Sequence, residues 1–271
     1  MRIESLHTYP IKGCHRLDHD GAQVEPWGLA GDRRWLLVRP DGRALTQRDI
    51  PLLARIQPVP QPDGGLAVHA GGRPELRVPR PDDGDLIDVT VWSSTLAATR
   101  AGAAADEWFS ALLGRPVRLV WLHDPTRRPI DPAYSGPTDR VSFADSYPLL
   151  LGNAASLDAL NGWLFESGDV EGPLPMTRFR PNVVVAGAAP WAEDDWVGRR
   201  LRIGDVLFRA VKPCDRCVVT TTDQETGERG RQPLRVLGEH RNVDQDLMFG
   251  LYLIPDGTGP IAVGDPLEPQ P

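Results

Sequence analysis

Glycine and proline, 27 of each in 271 residues, set the strongest limit on how this chain can fold. Proline removes a backbone donor and glycine loosens the backbone, so long uninterrupted helices are excluded, and with them a helical bundle or coiled coil. Short strands joined by many turns remain. RIESLHTYPI (2–11) and RRWLLVRPDGRALTQ (33–47) read as such strands, the second folded back at a Pro-Asp-Gly turn (40–42). The continuous apolar run Trp35, Leu36, Leu37 and Val38 suits a strand buried on both faces. IDVTVW (87–92), PVRLVWL (116–122), NVVVAG (182–187), CVVTTTD (217–223), FGLYLI (249–254) and GPIAVGDPLE (259–268) extend the series. RLRIGDVLFRAV (200–211) alternates on either side of Gly204-Asp205, the pattern of a hairpin.

Two segments break the pattern. ADEWFSALLG (105–114) and ASLDALNGWL (155–164) carry apolar residues at helical spacing, the first stopped by Gly114 and the second started by Asn153 or Ser156. Residues 57–85 read as turns between short strands or as an exposed excursion, and the Pro-rich 124–140 as a connector. No βαβ alternation occurs, which disfavours a doubly wound sheet. The expected fold is mostly β (α+β), a strand-rich barrel with a few covering helices.

Charge and cysteine content narrow the function. A net charge of −7 argues against broad nucleic-acid binding. No apolar run approaches a membrane span and the N-terminus lacks the form of a secretory signal, so a cytoplasmic, membrane-free protein is expected. Three cysteines, Cys14, Cys214 and Cys217, are too few for a disulfide framework or a four-cysteine iron–sulfur cluster. Any such cluster must sit on another protein. The chain has 28 Arg and two Lys, a bias that a GC-rich genome explains, yet both lysines, Lys12 and Lys212, fall in cysteine-containing segments.

KPCDRCVVTTTDQETG (212–227) is the segment most suggestive of chemistry. Its C-x-x-C pair fits a redox motif, half of a zinc site, a single thiolate ligand for a metal, or two buried cysteines acting as apolar fillers. The redox motif lacks a βαβ setting, and the zinc site lacks a second ligand pair, since the six histidines show no paired spacing. Lys12, Arg33 and Arg180 lie in separate turn segments, where each reads singly as a solvated charge and all three together as a grip on an anion.

The ordered blocks Y-P-I-K-G-C (9–14), G-D-R-R-W (31–35), T-Q-R (46–48), F-A-D-S-Y-P-L-L-L (143–151), F-R-P-N-V-V-V (179–185) and C-D-R-C-V-V-T-T-T-D (214–223) resemble the MOSC-domain family. The resemblance is to its branch with an N-terminal β-barrel domain, which includes the mitochondrial amidoxime-reducing components and their bacterial relatives, and it implies a β-barrel-like domain over 1–122 followed by a second β-barrel, the MOSC domain, over 123–271. It implies a molybdenum cofactor of the sulfite-oxidase type, held by two dithiolene sulfurs of one pterin and by Cys217. It assigns pterin-phosphate contacts to Lys12, Gly13 and Arg33, and cofactor contacts to Arg180 and Asn182. Asp145 and Ser146 fall near the metal, with Asp145 as a proton relay, while Cys214, Asp215 and Arg216 line the pterin. Arg216, beside Cys217, is expected to favour its thiolate. Relatives often carry Ser where this chain has Gly13, and the ferredoxin domain, targeting segment and membrane anchor of some relatives have no counterpart in these 271 residues.

The implied activity is reduction of N-oxygenated (N-hydroxylated) small molecules, with electrons from a separate flavin, haem or iron–sulfur protein. Two alternatives share the same residues: a non-catalytic molybdenum-cofactor carrier, and a sulfur-transfer protein bearing a persulfide on Cys217. Pyridoxal phosphate binding is also associated with the family, but no pyridoxal-phosphate sulfurase domain is present, which weakens the sulfur-transfer reading.

Overall fold

A computed structural model describes residues 1–270. Among them, strands form four sheets accompanied by three α-helices and several 3-10 turns, so the mostly β expectation is borne out.

The largest sheet runs, edge to edge, through Leu267–Pro269, Arg200–Ile203, Val206–Asp215, Asp246–Pro255, Leu149–Asn153, Val183–Ala186, Arg2–Thr8 and Leu17–His19. Along this path only Leu149–Asn153 and Val183–Ala186 pair in parallel. A parallel pair needs a crossover, and helix α2 (Ala154–Glu166) lies in that connection, with Asn153 Oδ1 accepting from Ala155 N at 3.1 Å as its N-cap. The sheet curls until its far ends approach: Ile3 N donates to Asp265 O at 2.9 Å and Leu267 N to Met1 O at 3.1 Å. Leu6, Leu151, Val183, Phe208 and Leu253 fill the concave side and are fully buried. Because Arg2–Thr8 pairs with Val183–Ala186, the first strand of the chain is built into the sheet of its C-terminal half.

A second sheet orders Trp35–Val38, Arg118–Trp121, Ser94–Arg100 and Leu86–Val91. Trp35–Val38 is buried on both faces, as its sequence suggests. Trp35 and Leu37 pack with Phe109 of α1 (Ala103–Leu113), while Leu36 and Val38 pack with Phe143. Gly114 ends α1 at φ 66°, the left-handed geometry expected of that glycine. At the 40–42 turn, Gly42 N donates to Arg39 O at 2.9 Å. Its φ is +81° and an added Cβ would lie 2.5 Å from Asp88 O, so this position requires glycine.

Of the two readings of 57–85, short strands joined by turns is the one found: residues 57–78 form a three-stranded sheet (Gln57–Pro60, Leu66–His69, Leu76–Val78), because Leu66, Val68, Leu76 and Val78 supply a buried face. Two differences from the sequence reading have clear causes. The CVVTTTD segment is not a strand: Val218–Thr221 is a 3-10 turn. There the Thr220 and Thr221 hydroxyls donate to Cys217 O and Val218 O at 2.9 and 2.8 Å, local bonds that compete with a β ladder. A third helix, α3 (Leu234–His240), gives little sequence signal because it buries only Val236 and Leu237. Among the described residues no helix is long and apolar enough to cross a membrane.

Candidate functional site

Chain segments far apart in sequence converge on one cleft whose empty space, out to its mouth, is about 1040 Å³. Lys12, Gly13, Arg33, Asp145, Ser146, Arg180, Asn182, Cys214, Asp215, Arg216 and Cys217 all line it. The site residues that the resemblance implies are therefore brought to the same place, whereas Cys14 and Lys212 are not part of this lining.

Tyr9 organises the basic wall. Its ring is buried directly after the strand Arg2–Thr8, and its hydroxyl donates to Pro181 O at 3.0 Å. The guanidinium carbons of Arg33 and Arg180 lie over that ring at 4.3 and 4.1 Å, close enough for cation–π attraction. Both arginines hold left-handed backbone (φ 48° and 56°), which costs energy for a residue with a Cβ and is kept only where the surroundings impose it. Here they do: Arg33 N donates to Tyr9 O, and Phe143 N donates to Arg33 O. Arg180 donates to Gln224 Oε1 at 2.7 Å and to Cys14 O at 2.8 Å. Arg33 donates to the buried Asp32 carboxylate and to Asn182 Oδ1. The Asn182 amide also accepts from Leu150 N and donates to His7 O, so this side chain is spent on protein partners and fixes Arg33. Gly13 has φ +83°, a conformation strained for any side chain, serine included.

Lys12 and Asp145 form the acidic–basic pair at the centre. Lys12 Nζ donates to Asp145 Oδ1 at 2.6 Å and to Phe143 O at 2.7 Å. Burial pushes the Lys12 ammonium down to about 8, with Asp145 acting in the opposite sense. Burial would raise the Asp145 carboxyl, but Lys12 and then Arg48 outweigh it and hold the group well below the usual carboxylate range. Lys12 thus favours the ionised form of Asp145, and their hydrogen bond sets the ammonium protons of Lys12 beside that carboxylate. Buried Arg128 shapes the loop that presents Asp145, donating to the carbonyls of Ser142, Ala144 and Asp145 at 2.6, 2.5 and 2.7 Å.

The three thiols differ in exposure. Cys14 and Cys214 are buried, and burial pushes the Cys14 thiol up to about 12 and raises that of Cys214. Cys217 is half-buried and faces the cleft from the foot of the Val218–Thr221 turn. Arg216 makes no hydrogen bond to it: Arg216 Nη1 donates to Cys214 Sγ at 2.7 Å and Nη2 to Phe179 O at 2.6 Å. The guanidinium that reaches Cys217 is Arg48, whose Nη2 lies 3.3 Å from Cys217 Sγ. Adjacency in sequence misleads here because residues 215 and 216 still follow the ladder, with Arg216 N bonded to Leu247 O, and turn successive side chains to different sides.

The loop carrying Arg48 is locked to the C-terminal half. Gln47 and Gln224 are buried and exchange amide hydrogen bonds at 2.9 and 3.0 Å, and Gln47 Nε2 also donates to Gly13 O at 2.7 Å. Arg229 Nη2 donates to Arg48 O at 3.0 Å. Trp92, at φ 55° and 59% exposed, closes this side of the mouth. The Arg48 guanidinium carbon lies 4.5 Å from its ring, and its Nε1 donates to Asp145 Oδ1 at 3.2 Å. On the opposite wall Tyr147 and Tyr252 pack ring to ring at 4.7 Å. Sequence reasoning gave none of Arg48, Trp92, Arg128, Tyr147, Tyr252 or Gln224 a role. The available signals were Arg48 within the T-Q-R block, Tyr147 within the F-A-D-S-Y-P-L-L-L block and Gln224 within the 212–227 segment.

The chain matches the MOSC N-terminal beta barrel domain over residues 1–116 and the MOSC domain over residues 138–268. It is 31% identical to mitochondrial amidoxime-reducing component 1 of Homo sapiens, over 98% of this chain and 82% of that protein. Identity to the Mus musculus protein of the same name is 33%, over 98% of this chain and 81% of that one. A molybdenum cofactor sulfurase of Oryza sativa subsp. japonica is 30% identical over 93% of this chain, which spans 32% of it.

Proposed function

The chain belongs to the MOSC-domain family, in the company of amidoxime-reducing components and a molybdenum cofactor sulfurase, and we propose that it is a molybdenum-cofactor-dependent reductase of N-oxygenated compounds. One observation carries the reading: the thiol that is not buried, Cys217, opens onto a cleft lined by Lys12, Arg33, Arg48, Arg180 and Arg216.

The donor set fits the group. Among the described residues no cluster of three or more His, Cys, Asp or Glu is placed to hold a bare ion. A metal seated here must bring most of its own ligands and take one soft donor from the protein, which suits a dithiolene-chelated molybdenum and a single thiolate. Cys217 is that donor in this reading. In this reading Arg33 and Arg180, fixed over Tyr9, supply the positive charge for a pterin phosphate with bidentate geometry, while Lys12, engaged by Asp145 and Phe143 O, takes a different role.

When bound, the molybdenum cofactor supplies the two-electron change needed to cleave an N–O bond. The chain's own residues do the rest. Arg48 orients the Cys217 sulfur, and the Tyr147–Tyr252 pair and Trp92 exclude water from two sides. Lys12 Nζ holds a proton beside the Asp145 carboxylate, where the departing oxygen needs one to leave as water. Electrons come from a separate redox protein in this reading.

The test uses cofactor-loaded protein reduced by a viologen dye and given benzamidoxime. Appearance of benzamidine with oxidation of the dye supports the reductase. Tight molybdenum with no benzamidine overturns it in favour of a carrier, and sulfur released by cyanide from Cys217 in place of molybdenum favours the persulfide protein.

A further inference from the structure

Beyond the Arg48–Trp92 pair lies a second, open cleft of about 930 Å³, floored by Ala44, Thr90 and Val91 and sharing Lys12, Thr46, Arg48 and Trp92 with the first. The Pro40-Asp41-Gly42 turn brings Arg39 and Arg43 to its far side, their strands joined by Arg39 N to Arg43 O at 2.9 Å. Its charged lining is four cations, Lys12, Arg39, Arg43 and Arg48, against the single carboxylate of Asp49. Lys12 is matched by Asp145, and Arg39 donates to Asp49. Arg43 has only a 3.8 Å approach to Asp41, with both side chains largely in solvent (74% and 58% exposed). Arg39 Nε is buried without a partner. A local excess of positive charge thus stands beside the proposed reaction site in a chain whose net charge is −7.

Between the two clefts the Trp92 indole presents a flat apolar face, 59% exposed and held by Arg48 at 4.5 Å and by the Asp145 bond. An exposed aromatic ring between a reaction site and a guanidinium held only by a distant, solvent-exposed carboxylate is suited to a ligand that is planar in its middle and anionic at one end.

We infer that the side cleft is a substrate-anchoring subsite: it takes the carboxylate end of a planar aromatic N-oxygenated compound whose ring lies on Trp92 and whose N–OH group enters the main cleft. This rests on the reductase reading and deepens it by naming a substrate class. Trp92 sets the preference for planar compounds, Arg43 sets the preference for an anion, and Arg39, paired with Asp49, adds positive potential at the far side.

The test is a calorimetric titration of cofactor-loaded protein without reductant, so that no turnover occurs, comparing benzamidoxime with 4-carboxybenzamidoxime. The carboxylated compound binds about tenfold tighter at low salt, the scale of one charge-assisted hydrogen bond. Arg43→Ala reduces that advantage to within about threefold and Arg43→Glu abolishes or reverses it; both variants fold, since the side chain is 74% exposed. Trp92→Ala weakens both compounds and Trp92→Phe restores them. Equal binding of the two compounds to the unaltered protein, or an advantage that survives Arg43→Glu, overturns the subsite. Adding reductant afterwards judges the reductase reading by itself. No product from either compound, with the affinity pattern intact, defeats that reading and leaves the subsite standing.

Discussion

Arg48 Nη2 meets Cys217 Sγ at 3.3 Å across 169 residues of chain, so the cysteine that faces the cleft is held by a loop from the opposite half of the molecule. Its sequence neighbour Arg216 is turned to Cys214. Replacing Arg48 by Ala removes both the donor to the sulfur and the cation over Trp92. We expect kcat/KM for benzamidoxime to fall about tenfold or more, the worth of a charged hydrogen bond in a partly dry site. Arg48→Lys restores part of the loss, because an ammonium keeps the charge but lacks the planar fork. Arg216→Ala acts differently: it frees the buried Cys214 thiol and lowers the melting temperature. Equal effects of Arg48→Ala and Arg216→Ala on both readouts would contradict this division of roles.

The two C-x-x-C cysteines separate in the same way. Cys217→Ala abolishes molybdenum retention, measured by elemental analysis after gel filtration, and abolishes turnover with it. Cys214→Ala keeps most of the metal and costs roughly 1–2 kcal/mol of stability, because Arg216 Nη1 loses a buried acceptor. A reversed result, with metal lost only in Cys214→Ala, would move the ligand to the buried thiol.

Much of this was legible in the sequence, and the limits of that legibility are physical. The Trp35–Val38 strand, the 40–42 turn, the stop of α1 and the start of α2 follow from local rules: apolar run, turn residues, left-handed Gly114, N-cap Asn153. The CVVTTTD segment failed because its β-branched residues signal a strand while its threonine hydroxyls bond to carbonyls three residues back. The convergence of Lys12, Arg33, Asp145, Arg180 and Cys217 came from the ordered family blocks, not from spacing. What neither source gave is which charge faces which group. The Arg48–Cys217, Arg216–Cys214 and Lys12–Asp145 pairings depend on side-chain direction at the ends of distant elements.

The Lys12–Asp145 pair fixes the pH dependence. Lys12 loses its proton at about 8 in the folded protein against 10.5 ordinarily, because burial disfavours the ammonium more than Asp145 favours it. Activity that needs the Lys12 proton therefore falls as pH rises through about 8. Stability moves the other way. Between about 8 and 10.5 the unfolded chain binds the lysine proton and the folded one does not, so the contribution of this group to stability rises over that window. Asp145 has the usual carboxylate sign, its stabilisation being present above the ordinary Asp range and lost only in strong acid. Asp145→Asn removes the one neighbour that raises Lys12, so the alkaline limb of kcat/KM moves to lower pH by roughly one unit. A limb that stays in place in Asp145→Asn assigns the proton to another group.

Asn182 carries the last prediction, because its burial and its partners leave no room for compensation. The side chain is 1% exposed, accepts from Arg33 Nη1 and Leu150 N, and donates to His7 O, tying three segments of the chain together behind the cleft. Asn182→Ala leaves a guanidinium N–H, an amide N–H and a carbonyl unpaired at once. Water can reach the cleft side but not the strand side, so the loss is partial, about 2–4 kcal/mol, read as a lowered denaturation midpoint with an unchanged slope. Arg33, released from one of its acceptors, also loses its fixed position over Tyr9, and cofactor retention falls with it. Asn182→Asp keeps the acceptor and adds charge facing Arg33, so it recovers retention better than stability. If Asn182→Ala left stability within 0.5 kcal/mol while cofactor content collapsed, Asn182 would touch the ligand directly, and its place as the support behind Arg33 would be lost.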